Sequence, residues 1–209
     1  MPRPSNTDER RQQIVHALMQ VMAKKGYDGA SVADIAAAAG LTPGLVHYHF
    51  KNKLEILLGV LATLTSEHDT RLAAALAPAG DDPVAATAAF IDFHLGLGAH
   101  ADPAALACWI TLSGEALRQA QVRRAFATAI TALVDGLSEL IRRGVQARRF
   151  RCARPEAAAS ALVAAIQGYF VLAATAREVI PRGSAATSVK SMADGLLRPT
   201  RPLGRGAPR

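Results

Sequence analysis

Aromatic side chains are scarce in this sequence, with one Trp, three Tyr and six Phe in 209 residues. The 50% apolar content is therefore carried mainly by Ala and Leu, which are strong helix formers. No stretch alternates with period two, so an all-β fold is excluded and an all-α fold of about nine helices is expected. Cysteine is nearly absent: Cys108 and Cys152 stand alone, with no CxxC pair and no zinc spacing. Two unclustered thiols suit the reducing cytoplasm, where both are expected free. The N-terminus has no apolar h-region, so no signal peptide is read there. No GxSxG, HExxH, P-loop or GxGxxG motif occurs, which leaves an enzyme without a recognisable reaction centre and no cofactor to expect. Charge is low at 20%, yet the length and apolar content exclude a disordered chain.

What charge there is leans basic, to a formal +7. Residues 198–209 carry Arg198, Arg201, Arg205 and Arg209 and no acid, with three prolines and two glycines; they read as a disordered basic tail. Arg142, Arg143, Arg148, Arg149, Arg151 and Arg154 form a second acid-free cluster at the end of a long helix, where cations suit the helix dipole. A basic balance is compatible with polyanion binding and equally with a solubilising surface. Residues 157–176 lack any charge, but Ala, Ser160, Gln167, Gly168 and Thr175 dilute their hydrophobicity. They read as a buried helix and not as a membrane span.

Helix punctuation is dense. Thr7 is expected to cap the first helix after a frayed arm over residues 1–6, with Asp8 and Glu9 in its first turn and Gly26 as its left-handed stop. Ser31-Val32-Ala33-Asp34 is a capping-box variant opening a second, short helix that Gly40 ends. Thr42-Pro43 opens a third helix and Asn52-Lys53-Leu54-Glu55 a fourth, long one. Pro78-Ala79-Gly80, Asp82-Pro83, Asp102-Pro103 and Arg154-Pro155 mark further boundaries. The fifth helix is expected to close near Gly98, the eighth near Val179, and the last to run over residues 184–197. The reading divides the chain into residues 1–53, residues 54–197 and the tail.

The informative segment lies between Ser31 and Lys53. Two helices too short to stand alone are joined by Gly40-Leu41-Thr42-Pro43, which is the layout of a helix-turn-helix whose second helix enters the major groove. At 100° per residue, Val46 and Phe50 share the core face, so Gly44, Leu45 and Tyr48 point outward and His47 lies on the flank. That outward face has no acid. Gly44 allows close backbone approach, Leu45 can touch a thymine methyl, and His47 can donate or accept at a base edge. Tyr48, His49, Lys53 and the Ser31 and Thr42 hydroxyls can reach phosphates. His47 and His49 are two apart on a helix and do not converge on a metal, so no metal site is expected.

The run Gly40-Leu41-Thr42-Pro43-Gly44-Leu45-Val46-His47-Tyr48-His49-Phe50-Lys51-Asn52-Lys53 resembles the TetR family of bacterial transcription regulators, and the likeness extends back through Ser31–Ala36 and the first helix. The resemblance implies an all-α homodimer on double-stranded DNA, with residues 1–53 as the DNA-binding domain and residues 54–197 as the ligand-binding and dimerisation domain. By motif it assigns base reading to Pro43, Gly44, Leu45 and His47, and phosphate contact to Ser31, Thr42, Tyr48, His49 and Lys53. The family often has a polar residue where Leu45 stands. Residues 109–117 and the Arg-rich helix end are weakly similar to the BetI branch of the family, without implying its ligand.

Beyond the helix-turn-helix, Leu61, Leu64, His68, Phe90, Phe93, His94, Cys108 and Trp109 are expected either to line a small-molecule effector cavity or to be plain core. A mostly apolar pocket with one or two histidines suits a neutral or weakly anionic aromatic or lipid-like compound. A quaternary ammonium wants an aromatic cage, which one Trp and few Tyr hardly supply. Ala158, Ala161, Leu162, Ala165 and Tyr169 give the uncharged helix a wide apolar surface that needs cover on two sides. The resemblance implies that a second subunit supplies it, and a two-fold interface matches a palindromic operator. The function expected is a ligand-responsive repressor. An activator of the same fold, an enzyme using the C-terminal cavity, and a nonspecific architectural DNA binder are the alternatives.

Overall fold

Caps and left-handed residues set where this chain turns. The computed structural model describes residues 6–96 and 103–204 and contains nine α-helices and no strand among them. α1 (Asn6–Lys25) starts one residue before the expected Thr7 cap and ends at Gly26, whose φ of +70° is left-handed. The arm proposed before it lies outside the described residues except for Asn6. α2 (Val32–Ala39) opens on a complete capping box: Asp34 N donates to Ser31 Oγ at 3.0 Å, and Ser31 N donates to Asp34 Oδ2 at 3.1 Å. Gly40 closes it with φ of +64°. α3 (Pro43–His49) has Thr42 as its N-cap, and α4 (Lys53–Leu76) has Asn52 Oδ1 accepting from Glu55 N at 2.9 Å.

α4 ends in a 3-10 turn over Ala77–Ala79, and Asp82 caps α5 (Pro83–Leu95) by accepting from Val84 N and Ala85 N. α5 stops before the expected close near Gly98, a residue outside the described ones; Gly96 N–H completes its last turn on Asp92 O. α6 (Pro103–Arg118) and α7 (Ala120–Gln146) break at Gln119. α8 (Pro155–Thr175) ends four residues before Val179, because a 3-10 turn over Arg177–Val179 precedes Pro181, which disfavours helix at Ile180. α9 (Ser184–Leu197) follows as expected.

The chain forms two compact units: Met1–Glu67 with Asp102–Ala127, and His68–Ala101 with Thr128–Arg209. The proposed boundary after Lys53 coincides with the first turn of α4, but the first unit also takes in more of α4, α6 and the start of α7. Its core is built on Ile14, Leu18, Ile35, Val46, Phe50, Leu57, Val60 and Leu112. The second unit's core is built on Phe90, Ile91, Leu137, Ile141, Leu162, Val189 and Leu197.

The tail departs from the expectation of disorder. Residues 198–204 pack on the second unit: Leu203 is buried, Leu203 N donates to Asp194 Oδ1 at 2.9 Å, Thr200 N donates to Arg149 O at 2.9 Å, and Arg201 pairs with Asp82. One apolar anchor and a paired arginine outweigh the prolines there. Residues 205–209 lie outside the described ones. α8 is long and apolar enough to cross a membrane by length and composition, but its Ala158, Ala159, Leu162, Val163 and Ile166 sit in the core of the second unit, as in any bundle helix.

Candidate nucleic-acid interface

α3 has only seven residues and cannot persist without support. Val46 and Phe50, four residues apart, bury 1% and 2% exposed side chains on the first unit's core. That fixes the rotation of the helix. Thr42, Pro43, Gly44 and His47 are consequently exposed, Tyr48 is 80% exposed, and Leu45 and His49 are half-buried. The Tyr48 and His49 rings meet edge to face at 5.1 Å. Thr42 Oγ1 accepts from Leu45 N at 3.3 Å, which leaves its hydroxyl hydrogen available to an outside acceptor.

α1 holds the ends of both short helices. Arg11 Nη1 donates to His49 O and Nη2 donates to Glu55 Oε1 at 3.2 Å, with the guanidinium 4.0 Å over the Phe50 ring. Gln13 Nε2 donates to Ala39 O at 2.6 Å. The bonds to His49 O and Ala39 O each satisfy a carbonyl at a helix C-terminus that has no intrahelical partner. Lys53 acts within the unit as well: Nζ donates to Tyr27 O at 2.8 Å and Ala30 O at 2.9 Å and lies 4.3 Å from the Tyr27 ring centroid. Two of its three donors are thus spent on the loop between α1 and α2, so its expected phosphate role is left with one. Ser31 Oγ, another expected phosphate contact, donates to Asp34 Oδ2 at 2.7 Å. Sequence reasoning missed Arg11, Gln13 and Tyr27. Arg11 and Gln13 reach partners remote in the chain.

Asp34, Glu55 and Asp28 of this unit are each paired. Asp34 bonds Lys25 Nζ at 2.6 Å; that bond, followed by those from Ser31, holds its carboxyl well below the usual carboxylate range. Glu55 accepts from Lys51 N at 2.8 Å; this bond and Arg11 lower its pKa despite some desolvation. Asp28 pairs with Arg118 at 3.3 Å. Residues 42–49 themselves contain no acid, so the outward surface of α3 presents backbone, hydroxyl, imidazole and phenol groups and no carboxylate to repel phosphate.

The residues expected at an effector cavity fall into two groups. Leu61, Leu64 and Cys108 are buried in the first unit, where Trp109 packs its ring 4.7 Å from Phe126. His68, Phe90, Phe93 and His94 cluster in the second. Of the residues expected at a dimer interface, Ala158 and Leu162 are buried within the chain's own core, Ala165 and Tyr169 are half-buried, and Ala161 is exposed. Val171, Leu172, Met192 and Leu196 are large apolar side chains left exposed on α8 and α9. Among the described residues no three His, Cys, Asp or Glu converge as a metal site.

The N-terminal helices, residues 14–60, match the model of the tetR family of bacterial regulatory proteins, and residues 83–198 match the C-terminal domain of BetI-type transcriptional repressors. The second match alone spans more than half of the chain. The chain belongs to the TetR family. Its relatives there are transcriptional regulators and not enzymes. The HTH-type transcriptional regulator BetI of Stenotrophomonas maltophilia is 29% identical over 124 residues, 59% of this chain and 63% of that protein. The HTH-type transcriptional activator FasR of Mycolicibacterium smegmatis is 30% identical over 151 residues, 69% of this chain and 65% of that protein. The chain thus covers less than two thirds of the length of these relatives. A TetR transcription regulator from Haloarcula marismortui superposes with a TM-score of 0.82 at 18% identity, over 90% of this chain and 98% of that one. A transcriptional regulator from Saccharomonospora viridis in complex with choline gives 0.75 at 22% identity, over 90% and 94%. Both likenesses concern the fold.

Proposed function

We propose that this TetR-family chain is a ligand-responsive repressor that binds a palindromic operator as a homodimer in the cytoplasm. The observation that carries the reading is the outward face of α3, exposed at Pro43, Gly44, His47 and Tyr48, free of acid, and clamped from behind by Val46, Phe50 and Arg11. Pro43, Gly44, Leu45 and His47 read bases, and Thr42, Tyr48 and His49 contact phosphates. Dimerisation uses the exposed side of α8 and α9, where Ala161, Val171, Leu172, Met192 and Leu196 leave apolar surface that a second copy would cover.

The effector binds in the C-terminal region. The choline bound by the Saccharomonospora protein is not carried over to this chain. Selection of duplexes from a random pool, followed by footprinting, tests the reading: two protected half-sites about 34–36 Å apart are expected. Binding to bulk DNA with the same affinity as to the selected duplex would leave the architectural alternative in its place.

A further inference from the structure

In the second unit the histidines of α4 and α5 meet in a nest of phenylalanines. His94 Nδ1 lies 2.7 Å from Phe90 O. A carbonyl oxygen only accepts, so Nδ1 carries the hydrogen and Nε2 of the neutral ring holds a lone pair. Burial keeps that ring neutral: desolvation outweighs the Phe90 bond, and with His68 nearby the pKa falls to about 4. His94 Nε2 is thus a fixed hydrogen-bond acceptor inside apolar surroundings, with the rings of Phe90, Phe93 and Phe170 at 4.3, 5.1 and 6.4 Å.

His68 fills the donor position, its Nε2 2.9 Å from His94 Nε2. The ring centroids are 5.0 Å apart, so the two nitrogens lie nearly on the line between them. A metal ion about 2.0 Å from each nitrogen does not fit on that line, whereas a shared hydrogen does. His68 is the more exposed of the two histidines. Its side chain is 25% exposed, and its Nδ1 faces the 76% exposed Asp69 carboxylate at 3.1 Å. Leaving His94 Nε2 without a donor is costly, so whatever takes the place of His68 must supply one.

We propose that His94 Nε2 is the polar anchor of the effector site, that His68 occupies the effector's place, and that the effector is a neutral aromatic compound bearing a hydroxyl group, a phenol. The proposal rests on the reading of the chain as ligand-responsive. A phenol ring replaces the imidazole ring against Phe93, 5.3 Å from it in the present arrangement, and its O–H donates to His94. A quaternary ammonium has no hydrogen to donate, and a carboxylate at neutral pH only accepts. Displacing His68 also puts the ligand against α4, the helix that begins at Lys53 beside the helix-turn-helix.

Calorimetric titration of the full chain and of His68→Ala with phenol, anisole and tetramethylammonium tests this. His68→Ala vacates the place of the ring, so phenol is expected to bind it at least tenfold tighter than the unaltered chain, and at least tenfold tighter than anisole, which lacks the hydroxyl. His94→Phe is expected to abolish that preference. Should His94→Phe not fold, the ¹⁵N resonance of His94 Nε2 in His68→Ala is expected to shift on adding phenol and not on adding anisole. Equal binding of anisole, tighter binding of tetramethylammonium, or no binding of phenol by His68→Ala overturns the proposal. Operator binding by the same proteins without phenol tests the DNA reading on its own, so the two fail separately.

Discussion

Arg11 of α1 donates to the main-chain oxygen of His49, the last residue of the recognition helix, while its guanidinium lies 4.0 Å over the Phe50 ring. One side chain thereby sets both the end and the seating of α3. Arg11→Ala removes these contacts and the pair with Glu55. The side chain is 39% exposed, so solvent screening reduces the cost to about 1 kcal/mol of stability. Operator affinity is expected to fall by more than that loss of folding would cause, because α3 loses its position. Arg11→Lys should not restore it, since an ammonium lacks the planar fork. Denaturant titration beside gel-shift measurements checks both.

The cap of α2 gives a second expectation. Ser31→Ala breaks the bond from Asp34 N and should destabilise the chain by about 1 kcal/mol. The carboxyls of Asp34 and Glu55 are held low by their partners. A depressed folded pKa contributes stability that is present above the unfolded carboxylate value and lost as pH falls through the folded one. Asp34→Asn should therefore weaken the chain at pH 7 and flatten the loss of stability below about pH 4. An unchanged acid limb in denaturation curves would remove Asp34 from this account.

His47 and Lys53 separate recognition from support. His47 is exposed on α3, so His47→Ala should relax discrimination at one position per half-site by roughly 1–3 kcal/mol and leave the melting temperature alone. Lys53 bonds two carbonyl oxygens of the loop before α2. Lys53→Ala should lower thermal stability as well as affinity for operator and random DNA alike. A variant as stable as the parent would return Lys53 to a phosphate role only, read as a drop of about one in the salt slope.

α8 distinguishes an interface from a core by adjacent residues. Ala161 is exposed and Leu162 is 1% exposed. Ala161→Arg is expected to give folded monomers that bind operator poorly, whereas Leu162→Arg buries a charge and unfolds the second unit. Sedimentation and circular dichroism of the two proteins check this. A fully dimeric Ala161→Arg protein would move the interface elsewhere.

What was legible in the sequence is what local chemistry decides. Gly26, Gly40, the Thr42-Pro43 pair and Asp82-Pro83 end and start helices by their own backbone preferences, and the helix boundaries at those points stand as read. Val46 and Phe50 could be assigned to one face because helical geometry alone relates them. Arg11 and His49 are 38 residues apart, and nothing local joins them. Composition misread the tail for the same reason: Arg201 finds Asp82 across 119 residues, and Leu203 supplies an anchor that a count of prolines hides. The effector set was drawn from neighbouring helices. Which side chains meet depends on the tertiary placement that gathers His68, Phe93 and His94 but assigns Cys108 and Trp109 to the other unit.

His94 gives the chain a pH dependence separable from that of its carboxylates. Burial, acting against the Phe90 carbonyl bond and with His68 beside it, lowers its pKa to about 4, against an ordinary value of 6.5. In the unfolded chain the ring takes up a proton near its ordinary value; in the folded chain it does not. The unfolded state therefore binds more protons between these limits, and stability falls as pH drops through that window. The stabilisation of the neutral ring is complete above about pH 6.5, and its full loss by about pH 4 amounts to roughly 3 kcal/mol. Asp34, Glu55 and Glu156 have lowered values and titrate below the upper part of that range. The contribution of His94 to the slope between about pH 6.5 and 5 is therefore read by comparison with a variant that lacks the ring. His94→Gln, which cannot take up the proton, is expected to be less stable than the parent at pH 7 and to lose less on acidification to pH 5. Urea denaturation at both pH values measures this directly. Parallel losses in the two proteins would show that the buried imidazole is not the group that sets the slope.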